Sequence, residues 1–199
     1  MALTRLGSNQ SVNLASNVTG TLPVANGGTA ITSGFKNGIT EHDEWRITSD
    51  KSVSNTISSI TSNLARTTRE GFSLLGTGMT ESSGIFTFPS TGYYIVGLNN
   101  SYTTTDANRS NSLRIYVTEN NSTYRNIGAA GVNVSDDGGS SNSYGSVFAE
   151  FVVDVTDTSN VKVYFDCICN NSSVTYNGST SSDADGSSTR FFFTRIGDT

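Results

Sequence analysis

Three tyrosines are the residues of this chain best suited to contact a ligand. Tyr102, Tyr144 and Tyr176 stand beside stretches rich in Asn, Ser and Thr, and Arg109 lies between the first two. Aromatic rings stack on the faces of sugars and peptides, while short amides and hydroxyls form hydrogen bonds at little entropic cost. We therefore predict that these four side chains contact a ligand. The alternative is that the three rings close the ends of a hydrophobic core.

Two pairs of acidic residues occur in similar polar stretches. Asp136 and Asp137 are followed by a glycine, as is the pair Asp183 and Asp185. Their carboxylates could supply oxygen ligands for calcium or the acid and base of a glycosidase. Neither string completes an EF-hand, and loop acids lack the burial that separates the pKa values of a catalytic pair. We assign the four residues to the ligand-binding region without a metal; ordinary solvated turns are the alternative.

The two cysteines and the single histidine offer little further chemistry. Cys167 and Cys169 share one side of a strand, but the sequence has no C-x-x-C pair and no second cysteine cluster. His42 lies in the string EHDE, where adjacent side chains point in different directions. We predict buried reduced thiols and a solvated linker at His42. Because hydrolase and zinc motifs are missing as well, the sequence predicts a non-enzymatic protein without a cofactor or metal.

Composition and charge exclude further classes of protein. The 12 Lys and Arg residues face 17 Asp and Glu residues, and no basic run could attract a phosphate backbone. The sequence contains no apolar run of ~18 residues, and its first residues lack the apolar stretch of a signal peptide. We expect no nucleic-acid partner, no membrane insertion, and assembly in a reducing cytoplasm.

Short β-rich runs between Gly, Asn, Ser and Asp clusters must position these residues. The predicted strands cover residues 44–48, 71–76, 84–88, 93–102, 112–119, 124–134, 144–155, 161–169 and 190–196. Apolar residues occupy alternate positions in 113–117 and 161–165, so each of these strands has one buried face. Residues 53–64 also fit a helical stripe, but their Ser, Thr and Asn content favours irregular chain with a short strand. The pattern indicates an antiparallel β-sandwich.

The connections between the predicted strands differ in length in a regular way. In an antiparallel sandwich every second connection lies at the same end of the molecule. The long connections 103–111, 135–143 and 170–189 alternate with short ones, so they gather at one pole together with 49–69. The opposite pole is predicted to hold the C-terminus and the incoming chain. This arrangement favours a tethered base and a loop-rich far end that contacts a partner.

The first forty residues differ from the rest of the chain. They show no sustained periodicity, Pro23 favours extended geometry in its neighbour, and Gly27 with Gly28 supplies a turn. We predict an extended arm over 1–40 and a globular domain over 41–199. The arm string LASNVTGTLPVANGGTA, which includes Leu22 and Val24, resembles segments of tail-fibre and other virion proteins of tailed bacteriophages.

The globular part resembles a known family of jelly rolls. The string GFSLLGTGMTESSGIFTFPSTGYYIV is similar to the start of the complement globular-head and tumour necrosis factor domains. The shared positions there are Phe86, Phe88, Pro89, Gly92, Tyr93 and Tyr94, and FFFTRIG at 191–197 resembles the closing strand of that family. The collagen-like stalk of the animal members is missing, so their signalling roles do not carry over.

The two resemblances together imply a bacteriophage virion protein with a homotrimeric jelly-roll head. The 10 Phe and 8 Tyr residues agree with this expectation, because a single thin sandwich does not readily bury so many rings. The expected role is host-surface recognition, with a glycan as partner and the arm attached to other virion proteins. The alternatives are a capsid decoration protein that clamps neighbouring capsid subunits, and a small polysaccharide depolymerase.

Overall fold

A computed structural model describes residues 38–68, 74–105, 108–134, 142–179 and 189–199, with backbone only at 108–110, 134, 171 and 172. The predicted arm, with Leu22, Pro23, Val24, Gly27 and Gly28, lies outside these ranges, so its boundary at residue 40 stays a prediction. No helix in the described ranges is long and apolar enough to cross a membrane.

Eleven strands form the described part of the chain. They are β1 (His42–Ile47), β2 (Lys51–Ser59), β3 (Leu64–Arg66), β4 (Thr80–Ser82), β5 (Ile85–Thr87), β6 (Gly92–Thr104), β7 (Asn108–Thr118), β8 (Tyr124–Val134), β9 (Ser143–Val155), β10 (Lys162–Tyr176) and β11 (Arg190–Gly197). All of their pairings are antiparallel. The predicted all-β class is therefore confirmed.

The strands build two layers that meet at one end. The first layer has the order β3-β1-β11-β6-β9, and in the second β10 pairs with β2 and β5 on one side and with β7 on the other, followed by β8. Near the end of β10, Tyr176 and Thr175 pair with Tyr102 and Thr103 of β6, so the two layers join there. The result is a jelly-roll sandwich whose inner faces share one core.

Aromatic rings from both layers fill the centre of the sandwich. Phe165 of the second layer stacks on Phe191 of the first with ring centroids 4.0 Å apart. Phe86 lies 5.1 Å from Phe193 and meets the edge of Trp45 at 5.3 Å. The predicted alternation at 113–117 and 161–165 is confirmed, because the odd-numbered residues of both runs are buried.

The predictions for residues 53–64 and for the connection 170–189 differ from the structure. Residues 51–59 form one edge strand of nine residues, β2, rather than irregular chain with a short strand, since Val53 faces the core while the Ser, Thr and Asn side chains face solvent. Asn55 takes a left-handed φ of 46°, and its neighbours lie opposite a register shift in β10 between Cys169 and Ser173. Beyond that shift β10 continues to Tyr176, so the predicted long connection 170–189 begins seven residues later.

The predicted base of the molecule is formed by the first and last described residues. The backbone N–H of Arg195 donates to the Glu41 carbonyl at 2.9 Å, and its Nε donates to the Thr91 carbonyl in the turn before β6. Thr199 Oγ1 donates to Asp154 at 2.8 Å. The C-terminus and the entry into β1 therefore share one pole, as the alternation of connection lengths predicts.

Candidate functional site

Only part of the predicted ligand-binding region lies among the described residues. Asp136, Asp137, Asp183 and Asp185 fall outside them, and the Arg109 side chain does too. The predicted loop 103–111 is shorter than expected, because β6 runs to Thr104 and β7 begins at Asn108. The three tyrosines are the members of the set whose side chains the structure describes.

Tyr102 and Tyr176 belong to the core rather than to a ligand-contacting surface. Their exposed fractions are 1% and 0%, because each stands at an inward position of its strand. The Tyr176 hydroxyl lies 3.0 Å and 2.8 Å from the carbonyl oxygens of Ser112 and Ile168, to which it can donate. Burial raises the pKa of both phenols, so both stay protonated at neutral pH. The two rings close the end of the sandwich core, which is the alternative to ligand contact that the sequence leaves open.

Tyr144 is exposed, as a ligand-contacting residue must be. It stands at the start of β9, pairs with Thr103, and leaves 73% of its side-chain surface to solvent. It lies close to the start of β9, near the end of the first layer where β6 finishes. Of the predicted tyrosines, it alone fits a surface role.

The EHDE string is not a solvated linker, because Asp43 is only 1% exposed. Its carboxylate accepts hydrogen bonds from Trp45 Nε1 at 2.8 Å, from the Met79 backbone N–H at 2.7 Å, and from Arg66 at 2.8 and 3.0 Å. His42 Nδ1 lies 2.8 Å from the Thr194 hydroxyl. Acidic neighbours of His42 thus hold β1 against β3 and the residues before β4. In the described part of the chain, no three His, Cys, Asp or Glu side chains are grouped as metal ligands.

The two cysteines are buried in the core, as the sequence predicts. Burial raises the pKa of the Cys167 thiol to about 12. A thiol with such a pKa carries almost no thiolate at neutral pH and is a poor nucleophile. Cys167 therefore does not form a reactive site.

The largest unexpected feature is an apolar surface on the outer side of the first layer. We call it the apolar face and define it by Ile95, Phe148, Val152 and Phe192. Phe148 and Val152 are 58% and 61% exposed, although both belong to a regular strand. Phe148 stacks on Phe192 with centroids 5.5 Å apart and an interplanar angle of 14°.

Gly97 allows the Phe192 ring to lie flat against β6. A Cβ on Gly97 would come within 1.9 Å of the Phe192 ring, so only glycine lets that ring lie down on β6. The inner side of the sheet is already packed against the core, so the outer apolar side has no partner within the described chain. The exposed carboxylate of Glu150 stands between Phe148 and Val152 on the same side of β9, so the apolar face is interrupted by one charge. Exposed large apolar side chains grouped in this way favour a contact with another molecule.

A second incompletely covered region lies along the adjoining edge of the sandwich. In the described residues β8 pairs only with β7, and β9 only with β6. Ile127, Val147 and Phe151 point toward the interior here but are only partly buried. A cavity of about 250 Å³ opens between the two strands, with Phe151, Ile127 and Val117 in its wall. Val152 lines this cavity and also belongs to the apolar face, so the open edge and the apolar face adjoin.

Comparison with solved protein structures identifies the type of jelly-roll fold. No protein-family model matches this chain, and no curated protein sequence matches it. Among solved structures, Eiger TNF from S. frugiperda has a TM-score of 0.58 at 10% identity, covering 79% of this chain and 93% of its own. Murine APRIL at pH 8.0 has a TM-score of 0.51 at 12% identity, covering 78% and 98%. The likeness, with the strand order, shows that the chain has the tumour necrosis factor-like jelly-roll fold.

Proposed function

We propose that this chain is a bacteriophage virion protein of the tail-fibre or surface-fibre type with a homotrimeric, non-enzymatic jelly-roll head. The arm over 1–40 attaches the head to other virion proteins, and the far pole contacts a glycan of the host surface. The particle is assembled in the host cytoplasm. The resemblance of the arm string supports the phage origin, and the apolar face supports the assembly of the head.

The observation that carries the proposed assembly is the exposure of Phe148 and Val152 on β9, a strand that pairs along its length with β6. A Phe side chain buries roughly 150–250 Å² of surface. Covering the 58% of Phe148 that is exposed therefore contributes on the order of 2–4 kcal/mol per copy. A head that stays single would leave this stabilisation unused and would expose a surface prone to aggregation.

The symmetry of an assembly decides which surfaces of the chain meet. In a twofold dimer the same patch meets itself, whereas a head-to-tail contact joins two different patches and forms a ring when its rotation closes. The open edge between β8 and β9 adjoins the apolar face, because Val152 belongs to both. Three copies is the number that the resemblance implies.

Charged substitutions on the apolar face test the assembly of the head. Phe148→Asp and Val152→Asp should convert the full-length protein to single chains, as measured by light scattering. Ile57→Asp is the matched control, because Ile57 is 55% exposed on β2 of the other layer. If all three variants keep the mass of the unsubstituted protein, the apolar face is not the interface.

Labelling of phage particles tests the placement of the protein. An antibody against residues 41–199 should label the tail or surface fibres under the electron microscope. Label confined to the capsid would instead establish the decoration protein, and unlabelled particles would refute the virion role. Release of reducing ends from host envelope polysaccharide would contradict the non-enzymatic part of the proposal.

A further inference from the structure

Three tyrosine rings form a continuous cluster on the outer face of the second layer. Tyr116 of β7 and Tyr164 of β10 stand opposite each other in register. Their rings are parallel within 5°, with centroids 4.8 Å apart. Tyr124 of β8 meets the edge of Tyr164 at 4.9 Å and 64°. All three are only partly buried, so the cluster is accessible from solvent.

The ion pair between Arg114 and Asp166 fixes the Tyr116 end of this cluster. The guanidinium of Arg114 lies 5.3 Å from the Tyr116 ring centroid. Arg114 donates two hydrogen bonds to the buried Asp166 carboxylate, at 2.6 and 2.7 Å. A planar guanidinium fixed by a bidentate carboxylate and stacked on a ring has little freedom to move. Because Arg114 holds the Tyr116 ring and Tyr116 stacks on Tyr164, the orientation of the Tyr164 ring is fixed without a ligand.

A groove lies beside the exposed side of Tyr164. It encloses about 200 Å³ between Tyr124 and Tyr164 on one side and residues 59–61 and 83–85 on the other. The two segments of the far wall are held together, because Gly84 has a φ of +85° and a Cβ there would come within 2.1 Å of the Ile60 carbonyl oxygen. Glu81 accepts a hydrogen bond from the Gly84 N–H at 2.6 Å. The groove is thus preformed.

The lining of the groove mixes ring and aliphatic surface with hydroxyl groups. Ser59, Thr61 and Ser83 are among the lining residues, Ile85 contributes exposed aliphatic surface, and the exposed lining is mainly apolar. The residues that line it include none with a charged side chain. Burial raises the pKa of Tyr124 and Tyr164, so both phenols remain protonated donors at physiological pH. An uncharged ligand with one apolar face and several hydroxyl groups matches this lining.

We propose that the groove between Tyr124, Tyr164 and the 83–85 turn is a binding site for one residue of a neutral sugar. The C–H face of the sugar ring packs on Tyr164, and its hydroxyls exchange hydrogen bonds with the Ser, Thr and Tyr hydroxyls of the walls. A volume below the roughly 300–1,000 Å³ of pockets for larger ligands suits a single ring. This inference deepens the proposed glycan recognition, and the source of the sugar rests on that proposed function. It places the sugar on the outer face of the second layer rather than at the far pole.

Saturation-transfer NMR on the full-length protein tests the site. The probes are the methyl glycosides of D-glucose, D-galactose and N-acetyl-D-glucosamine, each at millimolar concentration. At least one should receive saturation on its ring protons, and Tyr164→Ala should weaken its affinity by about tenfold or more. Tyr93→Ala is the matched control, because this partly exposed tyrosine lies on the other layer, and its substitution should leave the affinity unchanged.

Two further variants separate positioning from folding. Tyr116 does not line the groove, so it acts as a positioning residue that fixes the Tyr164 ring. Tyr116→Ala should weaken binding, and Tyr116→Phe should restore it because the stacking ring returns. Equal denaturation midpoints for the Phe variant and the unsubstituted protein show that the fold is intact.

Several results would overturn the groove as the sugar site. They are an absence of saturation on all three glycosides, an affinity that Tyr164→Ala leaves unchanged, and a loss of binding in Tyr144→Ala alone, which would place the sugar at the pole. The groove lies within one chain. A monomeric mass or unlabelled particles would therefore refute the proposed function without removing sugar binding, and the two failures are distinguishable.

Discussion

Replacing Asp43 by alanine should destabilise the domain strongly, because this carboxylate joins three segments of the chain. It accepts hydrogen bonds from Trp45 in β1, from Arg66 in β3, and from Met79 just before β4. Arg66 also donates to the Met79 carbonyl at 2.7 Å and lies over the Trp45 ring at 4.9 Å. Loss of the carboxylate therefore leaves buried donors without an acceptor.

The size of the effect follows from the burial of each donor. The Trp45 and Met79 N–H groups are buried, and a buried donor without a partner costs about 1–3 kcal/mol. The Arg66 side chain is 31% exposed, so water partly replaces the carboxylate there and its share is about 1 kcal/mol. Asp43→Ala should thus lower the free energy of unfolding by about 3–7 kcal/mol, a range that includes the roughly 3–5 kcal/mol typical of a broken buried pair.

Urea denaturation followed by tryptophan fluorescence measures this change directly, since Trp45 is the single tryptophan and touches Asp43. Glu119→Ala is the control: Glu119 pairs with Arg125, but both side chains are 69% exposed, and the loss should stay below about 1 kcal/mol. If Asp43→Ala and Glu119→Ala unfold at the same urea concentration, Asp43 does not hold the segments together as described.

Two other predictions concern the core and the apolar face. Because burial raises the pKa of Cys167 from 9.0 to about 12, the unfolded chain loses this proton first, and the free energy of unfolding should fall by up to about 1.4 kcal/mol per pH unit as pH rises from 9 to 12. Urea titrations at several pH values check this slope, and an identical slope in Cys167→Ala would count against it. Gly97→Ala should displace the Phe192 ring from β6 and weaken self-association severalfold, measured as the concentration at which the assembly dissociates on dilution. An unchanged dissociation concentration would show that the ring position is irrelevant to the interface.

The alternation of apolar and polar residues predicts where the central strands lie. The full length of a strand such as β10 depends on its hydrogen-bonding partners, which the sequence does not reveal. Leu113, Ile115 and Val117 alternate with polar residues, and a period of two suffices to predict a half-buried strand. β10 is predicted to end at Cys169 because polar residues follow. It continues to Tyr176 because β2 and β6 supply hydrogen-bonding partners after the register shift.

The difference between local pattern and long-range pairing also explains which tyrosine positions the sequence predicts. For Tyr102 and Tyr176 the sequence leaves open a ligand-contacting surface or the end of the core, and the structure places both rings in the core. Tyr116 and Tyr164 stand at the outward positions of their alternating strands, which sequence does indicate. That they stack on each other depends on the register between β7 and β10, which is set by long-range pairing.

Buried charge was the least predictable part of the structure. A carboxylate in the string EHDE suggests solvated chain, because isolated charges are rarely buried. Asp43 is buried because Arg66, twenty-three residues later, and two N–H groups satisfy it. Such a partner set arises only when β1, β3 and the segment before β4 meet in three dimensions.

The molar mass of the full-length protein in solution, measured by light scattering across a dilution series, tests the central claim most directly. The exposed Phe148 and Val152 predict self-association, and the proposed homotrimer has three times the 21.1 kDa of one chain, with dissociation only at low concentration. A mass of 21.1 kDa at every concentration would contradict the account, because Phe148 and Val152 would then remain exposed in the working protein.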